Sequence, residues 1–280
     1  MKDNYLRVGT SYFKKSLYPT LSGDRIEILL PWSPELIRQD HGKNALSLVE
    51  IFDGFICFPE NRLEFYLKNH QGYYNTYHSL SKNPIEGDIT NTKKFITHIF
   101  GEQTEIGFDY LQLLYLKPTQ ILPILCLVSK ERATGKSTFL KWLKEIFEYN
   151  LTYLTNDSFS SNFNADWASK LLICIDEVLF QTEILTERIK YLSTTNVNKI
   201  EAKGKDRKEI EFFGKFILCS NNETSFIKID ADEIRFWVRK IDSYEKEDVH
   251  FLSKLIKEIP AFLYFLSNRQ LSTENKSRMW

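Results

Sequence analysis

The run VSKERATGKSTFL at residues 128–140 restricts the fold of this chain more than any other stretch. An apolar segment at residues 121–128 leads into a polar loop, and an apolar repeat of helical period follows the loop. A strand, a loop and a helix in this order direct backbone N–H groups and the positive end of a helix dipole at an anion. The run is therefore typical of a phosphate-binding loop, and its candidate nucleotide contacts are Ala133, Thr134, Gly135, Lys136, Ser137 and Thr138.

One glycine of the usual pattern is absent from this loop, because Lys130 stands five residues before Gly135. A bare Gly-Lys-Ser or Gly-Lys-Thr sequence occurs by chance in many chains. The alternative interpretation is a capped helix start, in which the hydroxyl of Ser137 or Thr138 satisfies free N–H groups. The downstream sequence decides between the two.

Composition limits the class of protein. The 280 residues include 37 basic and 37 acidic ones, so a formal net charge of zero gives no overall attraction to nucleic acid, and such binding needs a local patch. The hydrophobic content of 42% indicates a globular chain. Four separated cysteines and five scattered histidines predict a reducing compartment and no zinc site. Lacking the pattern of a signal peptide or a membrane-spanning run, the chain is expected in the cytoplasm, without membrane contact.

Sequence patterns divide the chain into four regions. Residues 1–85 mix short strand and helix patterns, which predicts a small α+β region to which the sequence assigns no role. Residues 86–117 carry two apolar stripes of helical period and predict a helical collar or linker. Residues 118–268 alternate strand and helix, which predicts an α/β domain with a central, mostly parallel sheet flanked by helices. Residues 269–280 form a polar tail that we expect to be frayed.

The predicted elements can be stated by residue. In the N-terminal region the strand patterns lie at residues 5–8, 26–30 and 52–58. In the α/β domain the strand patterns lie at residues 121–128, 151–155, 171–175, 215–219 and about 235–241. The helix patterns of that domain lie at residues 136–148, 182–194 and 247–267, the last interrupted at Pro260.

Two adjacent carboxylates, Asp176 and Glu177, follow the apolar strand pattern at residues 171–175. A buried parallel strand places the residues that follow it at the carboxyl edge of the sheet, where ligands bind in open α/β folds. Because Mg²⁺ prefers oxygen ligands, Asp176 and the hydroxyl of Ser137 are the candidate metal ligands. Glu177 is the candidate group that polarises an attacking water. The alternative is a pair of exposed acids at a strand end, which the upstream loop disfavours.

Polar residues near the last two strand patterns extend this set. Asn221 and Asn222 follow one strand, and an asparagine there can hold the lytic water or contact a phosphate; an ordinary turn is the alternative. Arg235 precedes an aromatic-rich strand and suits stabilisation of charge on a transferring phosphoryl group, in its own or a neighbouring subunit. Arg239 is a weaker candidate. For both arginines the alternative is a surface salt bridge.

A local excess of positive charge lies at residues 199–208, with Gly204 at the tip of a predicted hairpin. A lysine-tipped hairpin can bind phosphates without reading base sequence. The candidate nucleic-acid contacts are therefore Lys203, Lys205 and Arg207. Solvated charges at a hairpin tip are the alternative.

In this order and spacing the motifs resemble those of the superfamily 3 helicases, a branch of the AAA+ ATPases. The likeness is strongest to the helicase half of phage and plasmid primase-helicases. It rests on KERATGKSTFLKWL, LLICIDEV, IEAKGKDRKEIEFFGKFILCSNNE and EIRFWVRKI, with FDYLQLLYLKPTQILPILCLVS upstream. The resemblance implies an AAA+-type P-loop NTPase fold.

The resemblance also implies roles and partners. It implies a homo-hexameric ring that hydrolyses ATP with Mg²⁺ at subunit interfaces while basic hairpins move single-stranded DNA through a channel. A primase half, as an upstream domain or a partner protein, and the cytoplasm of a bacterial host are expected as well. The implied functional residues are the Walker A pair Lys136 and Ser137, the Walker B pair Asp176 and Glu177, the hairpin lysines Lys203 and Lys205, the sensor Asn221 and the arginine finger Arg235.

Three functions fit these residues. The first is a DNA helicase or translocase motor for replication of a phage or mobile element. The second is an ATP-binding replication or packaging factor that uses ATP for assembly rather than unwinding. The third is a P-loop phosphotransferase such as a small-molecule kinase. The hairpin and Arg235 disfavour the third, because a monomeric kinase needs neither.

Overall fold

The computed structural model describes residues 4–19, 25–180, 182–201, 203–204, 206–223, 225–227, 232–243 and 248–273. The chain divides into two compact units. The first comprises Met1–Phe58 and Tyr66–His78, and the second comprises Pro59–Phe65 and Ser79–Trp280.

In its described residues the first unit contains two small sheets, one α-helix and a short 3-10 helix at Ala45–Leu48. The four-stranded sheet has the order β3-β2-β1-β4, and the three-stranded sheet has the order β5-β7-β6. Buried Leu6, Val8, Phe52 and Tyr74 form one of its cores. The elements are β1 (Tyr5–Val8), β2 (Ser11–Pro19), β3 (Arg25–Trp32), α1 (Pro34–His41), β4 (Glu50–Phe52), β5 (Gly54–Ile56), β6 (Asn69–His70) and β7 (Tyr73–Asn75).

The longest strand of the first unit, β2, was missed by the sequence patterns. Its residues SYFKKSLYP place two lysines and a serine in succession, so the apolar alternation that predicts a strand is absent. The strand forms because it pairs antiparallel with β3, from Tyr12 opposite Trp32 to Pro19 opposite Arg25. Helix α1 starts directly after Ser33, because the Ser33 hydroxyl accepts hydrogen bonds from the N–H groups of Glu35 and Leu36.

The second unit is built on a five-stranded sheet in which every pairing is parallel, with the order β14-β8-β13-β10-β9. The three middle strands are buried along their whole length. The elements of this unit are α2 (Thr90–Phe100), α3 (Thr104–Leu116), β8 (Ile124–Val128), α4 (Lys136–Phe147), β9 (Leu151–Leu154), α5 (Asn156–Ser160), β10 (Leu172–Ile175), α6 (Glu183–Leu192), β11 (Val197–Ile200), β12 (Lys208–Glu211), β13 (Lys215–Ser220), β14 (Phe236–Lys240) and α7 (Phe251–Asn268).

The sheet and its helices confirm the predicted α/β class, preceded by a small α+β region and a helical segment. The sequence patterns failed at the C-terminal helix. Helix α7 continues through Pro260, so the predicted interruption there was wrong. The proline lacks an N–H, yet its neighbours Ile259 and Ala261 are buried, and the helix packs against α2, α3 and α4. Tertiary packing outweighs the lost hydrogen bond.

The expected fraying of the C-terminal tail was also wrong for its first residues. Fully buried Asp109 of α3 accepts hydrogen bonds from the side chains of Arg269, Ser272 and Thr273. The backbone N–H groups of Ser272 and Thr273 donate to the same carboxylate. This buried carboxylate anchors residues 269–273, because it would be costly to leave unpaired.

Strands β11 and β12 form an antiparallel hairpin between β10 and β13 along the chain, with Ile200 opposite Lys208 at its closed end. Gly204 in the connecting loop has φ +74°, a left-handed conformation that favours glycine. No helix in the residues specified above is both long and apolar enough to cross a membrane.

Candidate functional site

Strands β8, β13 and β10 are neighbours in the sheet and end side by side. In the register, Ser220 of β13 lies opposite Val128 of β8, and Ile175 of β10 lies opposite Leu218 of β13. The phosphate-binding loop, the asparagine pair and the acid pair follow these strands directly. The fold therefore brings three of the sequence-predicted groups to one edge of the sheet, where ligands bind in parallel α/β folds.

Lys136 is the first residue of α4, and its side chain folds back into the preceding loop. Its ammonium donates to the hydroxyls of Ser129 and Thr134, the latter at 3.2 Å. Ser129 in turn donates to the carbonyl of Glu131 at 2.8 Å. Burial lowers the pKa of the Lys136 ammonium, and the Asp176 carboxylate acts in the opposite direction. The loop thus encloses a lysine that neutral hydroxyls hold in place.

The missing glycine at Lys130 does not strain the loop. Lys130 is absent from the described residues with positive φ, whereas Ala133 has φ +54° and Gly135 has φ +88°. A side chain at position 135 would also crowd the ring of Phe95, at 3.2 Å from an added Cβ. The backbone of this loop therefore favours glycine at positions 133 and 135, and position 130 accepts a lysine.

Glu223 holds the loop at Lys130, a role that no sequence pattern indicated. One oxygen of the Glu223 carboxylate accepts the Lys130 N–H at 3.1 Å. The other oxygen pairs with the ammonium of Lys240, the last residue of β14, at 3.1 Å. Glu223 lies directly after the asparagine pair, so it connects the phosphate-binding loop to both neighbouring strand ends.

The two carboxylates after β10 are exposed and differ in their contacts. The Ser137 hydroxyl donates to the Asp176 carboxylate at 3.3 Å. This hydroxyl and carboxylate are hard oxygen donors that suit Mg²⁺. No group of three or more His, Cys, Asp or Glu side chains that could hold a metal occurs among the described residues. A magnesium ion held here would take its remaining ligands from water and phosphate oxygens.

Glu177 has φ +56°, a left-handed conformation that is costly for a side chain of this size. Asn156 of α5 holds the backbone that directly follows this residue. The Asn156 side chain donates to the Glu177 carbonyl at 3.2 Å and accepts the Leu179 N–H at 3.1 Å. The sequence offered no signal for this contact, because the two segments are adjacent only in the folded sheet.

The structure distinguishes Asn221 from Asn222. The amide of Asn222 is engaged in its own turn, since it donates to the Ser225 hydroxyl at 2.6 Å and accepts the Ser225 N–H at 2.9 Å. Asn221 is exposed at the end of β13, and its side chain makes no hydrogen bond within the described ranges. Of the two, Asn221 is the one whose amide is available to a ligand.

Arg235 lies at the opposite edge of the sheet from the phosphate-binding loop. Its carbonyl accepts the N–H of Ile124, the first residue of β8, whereas the loop follows the last residue of that strand. Five residues of strand separate the two edges by about 16 Å. The Arg235 guanidinium donates to the Glu233 carboxylate at 2.7 Å. Arg235 therefore does not reach the site of its own chain.

Arg239 lies within β14, opposite Leu127 of β8, and its guanidinium approaches Gly101. It is partly buried in the second unit, on the side of the helical segment. Strand β14 ends at the carboxyl edge with Lys240, a basic residue that no sequence pattern indicated.

Two of the three candidate contacts of the hairpin are exposed in the described part of the chain. Lys203 is exposed beside Gly204. Arg207 is also exposed and pairs with the carboxylate of Glu201 across the hairpin at 2.7 Å. The third candidate, Lys205, lies outside the described residues.

Comparison with known proteins identifies solved structures of the same fold. The apo structure of the NrS-1 C-terminal region (305–718) matches with a TM-score of 0.72 and 17% identity, covering 95% of this chain and 67% of that chain. An A-form apo structure of the same region gives a TM-score of 0.73 and 18% identity over the same shares. A structure of JCV helicase matches only at a TM-score of 0.41 and 12% identity, over 64% of this chain and 54% of that chain, which carries no weight.

Sequence comparison finds a family model without an assigned function. A family model described as a family of unknown function, DUF5906, matches residues 127–239, which include the phosphate-binding loop, the acid pair and the hairpin. No curated protein matches the chain. At 17–18% identity the structural likeness establishes the α/β fold shared with the NrS-1 C-terminal region, and nothing finer.

Proposed function

We propose that this chain is an ATP-dependent DNA helicase or translocase motor that works in a homo-hexameric ring. The observation that carries the proposal is the convergence of the phosphate-binding loop, Asn221 and the acid pair at the ends of three adjacent parallel strands. The resemblance of the motifs to superfamily 3 helicases supports the ring and the DNA substrate. It also supports a role in replication of a phage or mobile element.

The residues of the edge suit ATP hydrolysis. Lys136 and the N–H groups at the start of α4 are the groups we propose to hold the phosphates. Ser137 and Asp176 are the ligands we propose for Mg²⁺, which when bound neutralises charge that develops on the phosphates. Glu177 is the group we propose to orient and deprotonate the attacking water, and Asn221 is the proposed sensor of the γ-phosphate.

The hairpin is the proposed DNA contact. Its tip carries Lys203 in an exposed position beside Gly204, and Arg207 is exposed on the returning side. Such cations bind the phosphate backbone of a single strand without selecting bases. Because Arg235 lies at the far edge of the sheet, we propose that it acts on the ATP site of a neighbouring subunit.

The test is the rate of ATP hydrolysis with and without single-stranded DNA. Lys136→Ala is expected to lower turnover by about 100-fold or more, because a charge-stabilising group is lost from the phosphate site. Lys203→Ala is expected to keep basal turnover and lose the stimulation by DNA. Lys141→Ala, an exposed lysine on the same helix as Lys136, is the matched control and should behave as wild type.

Two outcomes would separate the candidate functions. If wild-type turnover is unaffected by DNA, the motor proposal fails, and the factor that uses ATP only for assembly is favoured. If Lys136→Ala retains wild-type turnover, neither ATP-dependent function stands. Unwinding of a forked duplex by wild type, and its absence in Lys203→Ala, would support the motor directly.

A further inference from the structure

A single stretch of the second unit, residues 156–164, contacts both the proposed catalytic acid and the proposed DNA hairpin. We call it the bridging segment. It begins with α5 directly after β9, at the outer edge of the central sheet. None of the functional motifs includes it. Its two ends are asparagines, and each makes side-chain hydrogen bonds to the backbone of a functional element.

The first end of the bridging segment holds the backbone around Glu177. The Asn156 amide bonds both the carbonyl of Glu177 and the N–H of Leu179, so it holds the backbone that directly follows the left-handed residue. A left-handed glutamate persists only where its surroundings fix it. Any change of the Glu177 backbone therefore requires Asn156 to move or to lose two hydrogen bonds.

The second end holds the root of the hairpin. Asn164 is 4% exposed, and its side chain donates to the Lys199 carbonyl at 2.8 Å and accepts the Glu201 N–H at 2.7 Å. Its backbone N–H donates to the Glu201 carbonyl at 3.2 Å. Glu201 in turn pairs with Arg207, one of the proposed DNA contacts. The segment thus binds the strand that leads to the hairpin tip.

The middle of the bridging segment is fixed against α6. Arg188 of α6 donates to the carbonyls of Ser160 and Ser161, at 3.2 and 2.9 Å. Its guanidinium also lies over the ring of Phe159, which is fully buried. These contacts tie the middle of the bridging segment to α6, between its two asparagine ends.

We propose that the bridging segment couples the nucleotide state of Glu177 to the position of the hairpin, with Asn156 and Asn164 as its positioning residues. The inference rests on the proposed function, because it explains how ATP turnover and DNA binding affect each other. Coupling between two sites is reciprocal for binding free energies, so DNA should change nucleotide affinity through the same contacts.

The first test compares Asn164→Ala with Asn162→Ala, an exposed asparagine two residues away in the same segment. Turnover of ATP is measured with and without oligothymidylate. We expect Asn164→Ala to keep basal turnover within about twofold of wild type and to lose the stimulation by DNA, because the hairpin is uncoupled rather than removed. Asn162→Ala should keep both quantities.

The second measurement reports coupling without turnover. Hydrogen exchange of the hairpin amides is recorded with and without a non-hydrolysable ATP analogue and Mg²⁺. We expect the analogue to change the exchange of residues 197–211 in wild type and in Asn162→Ala, and to leave it unchanged in Asn164→Ala. Asn164→Asp, which keeps the acceptor for the Glu201 N–H, should restore part of the response.

The third variant, Asn156→Ala, tests the other end. It should lower basal turnover about tenfold, because Glu177 loses its support, and it should also abolish the DNA stimulation.

DNA stimulation of wild type tests the proposed function, and DNA stimulation of the asparagine variants tests the bridging segment. If wild type is stimulated by DNA and Asn164→Ala is stimulated equally, the motor stands and the bridging segment is not its coupling element. If Asn164→Ala does not fold, Asn156→Ala decides, and DNA stimulation equal to that of wild type in Asn156→Ala overturns the inference. If wild type ignores DNA, the proposed function and the inference both fail.

Discussion

At the scale of single residues, the phosphate-binding loop departs from the usual pattern without a strained backbone at the departing position. Lys130 adopts an ordinary conformation, and its N–H is bonded to Glu223. The strain lies at Ala133, where φ is +54°. The conformation of this loop therefore lowers the free energy of unfolding through Ala133 and not through Lys130.

This leads to a prediction for Ala133→Gly. A left-handed alanine costs about 1–2 kcal/mol, and the added backbone freedom of glycine offsets about half of that, so the free energy of unfolding should rise by about 0.5–1 kcal/mol. Urea-induced unfolding measures the change. The control is Ala165→Gly, at an exposed turn position with φ in the ordinary range, which should lower the free energy by about 0.4–1 kcal/mol. Equal destabilisation by both substitutions would contradict the assignment of strain to Ala133.

At the scale of elements, helix α2 depends on a residue far away in the sequence. The N-cap position is Ile89, which offers no side-chain acceptor, and within the described residues the nearby Asp88 carboxylate accepts the N–H of Thr90 but none of the helix N–H groups after it. Instead the carboxylate of Glu258, on α7, accepts the N–H groups of Asn91 and Thr92 and both of their side chains. A carboxylate at this position also interacts favourably with the helix dipole.

Glu258→Ala should therefore lower the free energy of unfolding by about 1–3 kcal/mol, because it removes a charged acceptor from several donors at once. Denaturant-induced unfolding of the whole protein measures this free energy. Lys257→Ala, at the adjacent exposed position, serves as the control and should change stability by less than about 0.5 kcal/mol. Stability of Glu258→Ala indistinguishable from this control would mean that water replaces the cap.

At the scale of the whole molecule, the proposed arginine finger is separated from the carboxyl-edge site of its own chain. Arg235 lies across the sheet and is paired with Glu233. In a ring with head-to-tail contacts, one edge of a subunit faces the opposite edge of its neighbour. This placement supports a shared site, in which one subunit supplies the phosphate-binding loop and the next supplies Arg235.

A mixing experiment tests the sharing. Lys136→Ala and Arg235→Ala subunits should each be inactive alone. Mixed in equal amounts before assembly, they should regain up to about a quarter of wild-type ATP turnover, because a quarter of random interfaces then combine an intact loop with an intact arginine. Mixing Lys136→Ala with the double variant is the control and should restore nothing. Activity of Arg235→Ala alone, or no gain on mixing, would remove the role proposed for this arginine.

Much of the fold was predictable because its signals are contiguous. The buried strand, the Gly-Lys-Ser sequence and the helix start at Lys136 adjoin one another, and so do β10 and its acid pair. Apolar runs of strand length alternating with helix patterns predict a parallel sheet, which is confirmed. Strand β2 was not predictable in this way, since its pairing with β3 rather than its own alternation defines it.

The sequence by itself thus determined the α/β class and the residue types that line one edge of the sheet. Only the tertiary structure decided which residues hold them there. Glu223 at the loop, Asn156 at Glu177, Asn164 at the hairpin and Glu258 at α2 are all bonded to groups distant along the chain. A short motif carries its own backbone geometry, but a hydrogen-bond partner many residues away is specified only once the packing of the sheet and helices has fixed the distance between them.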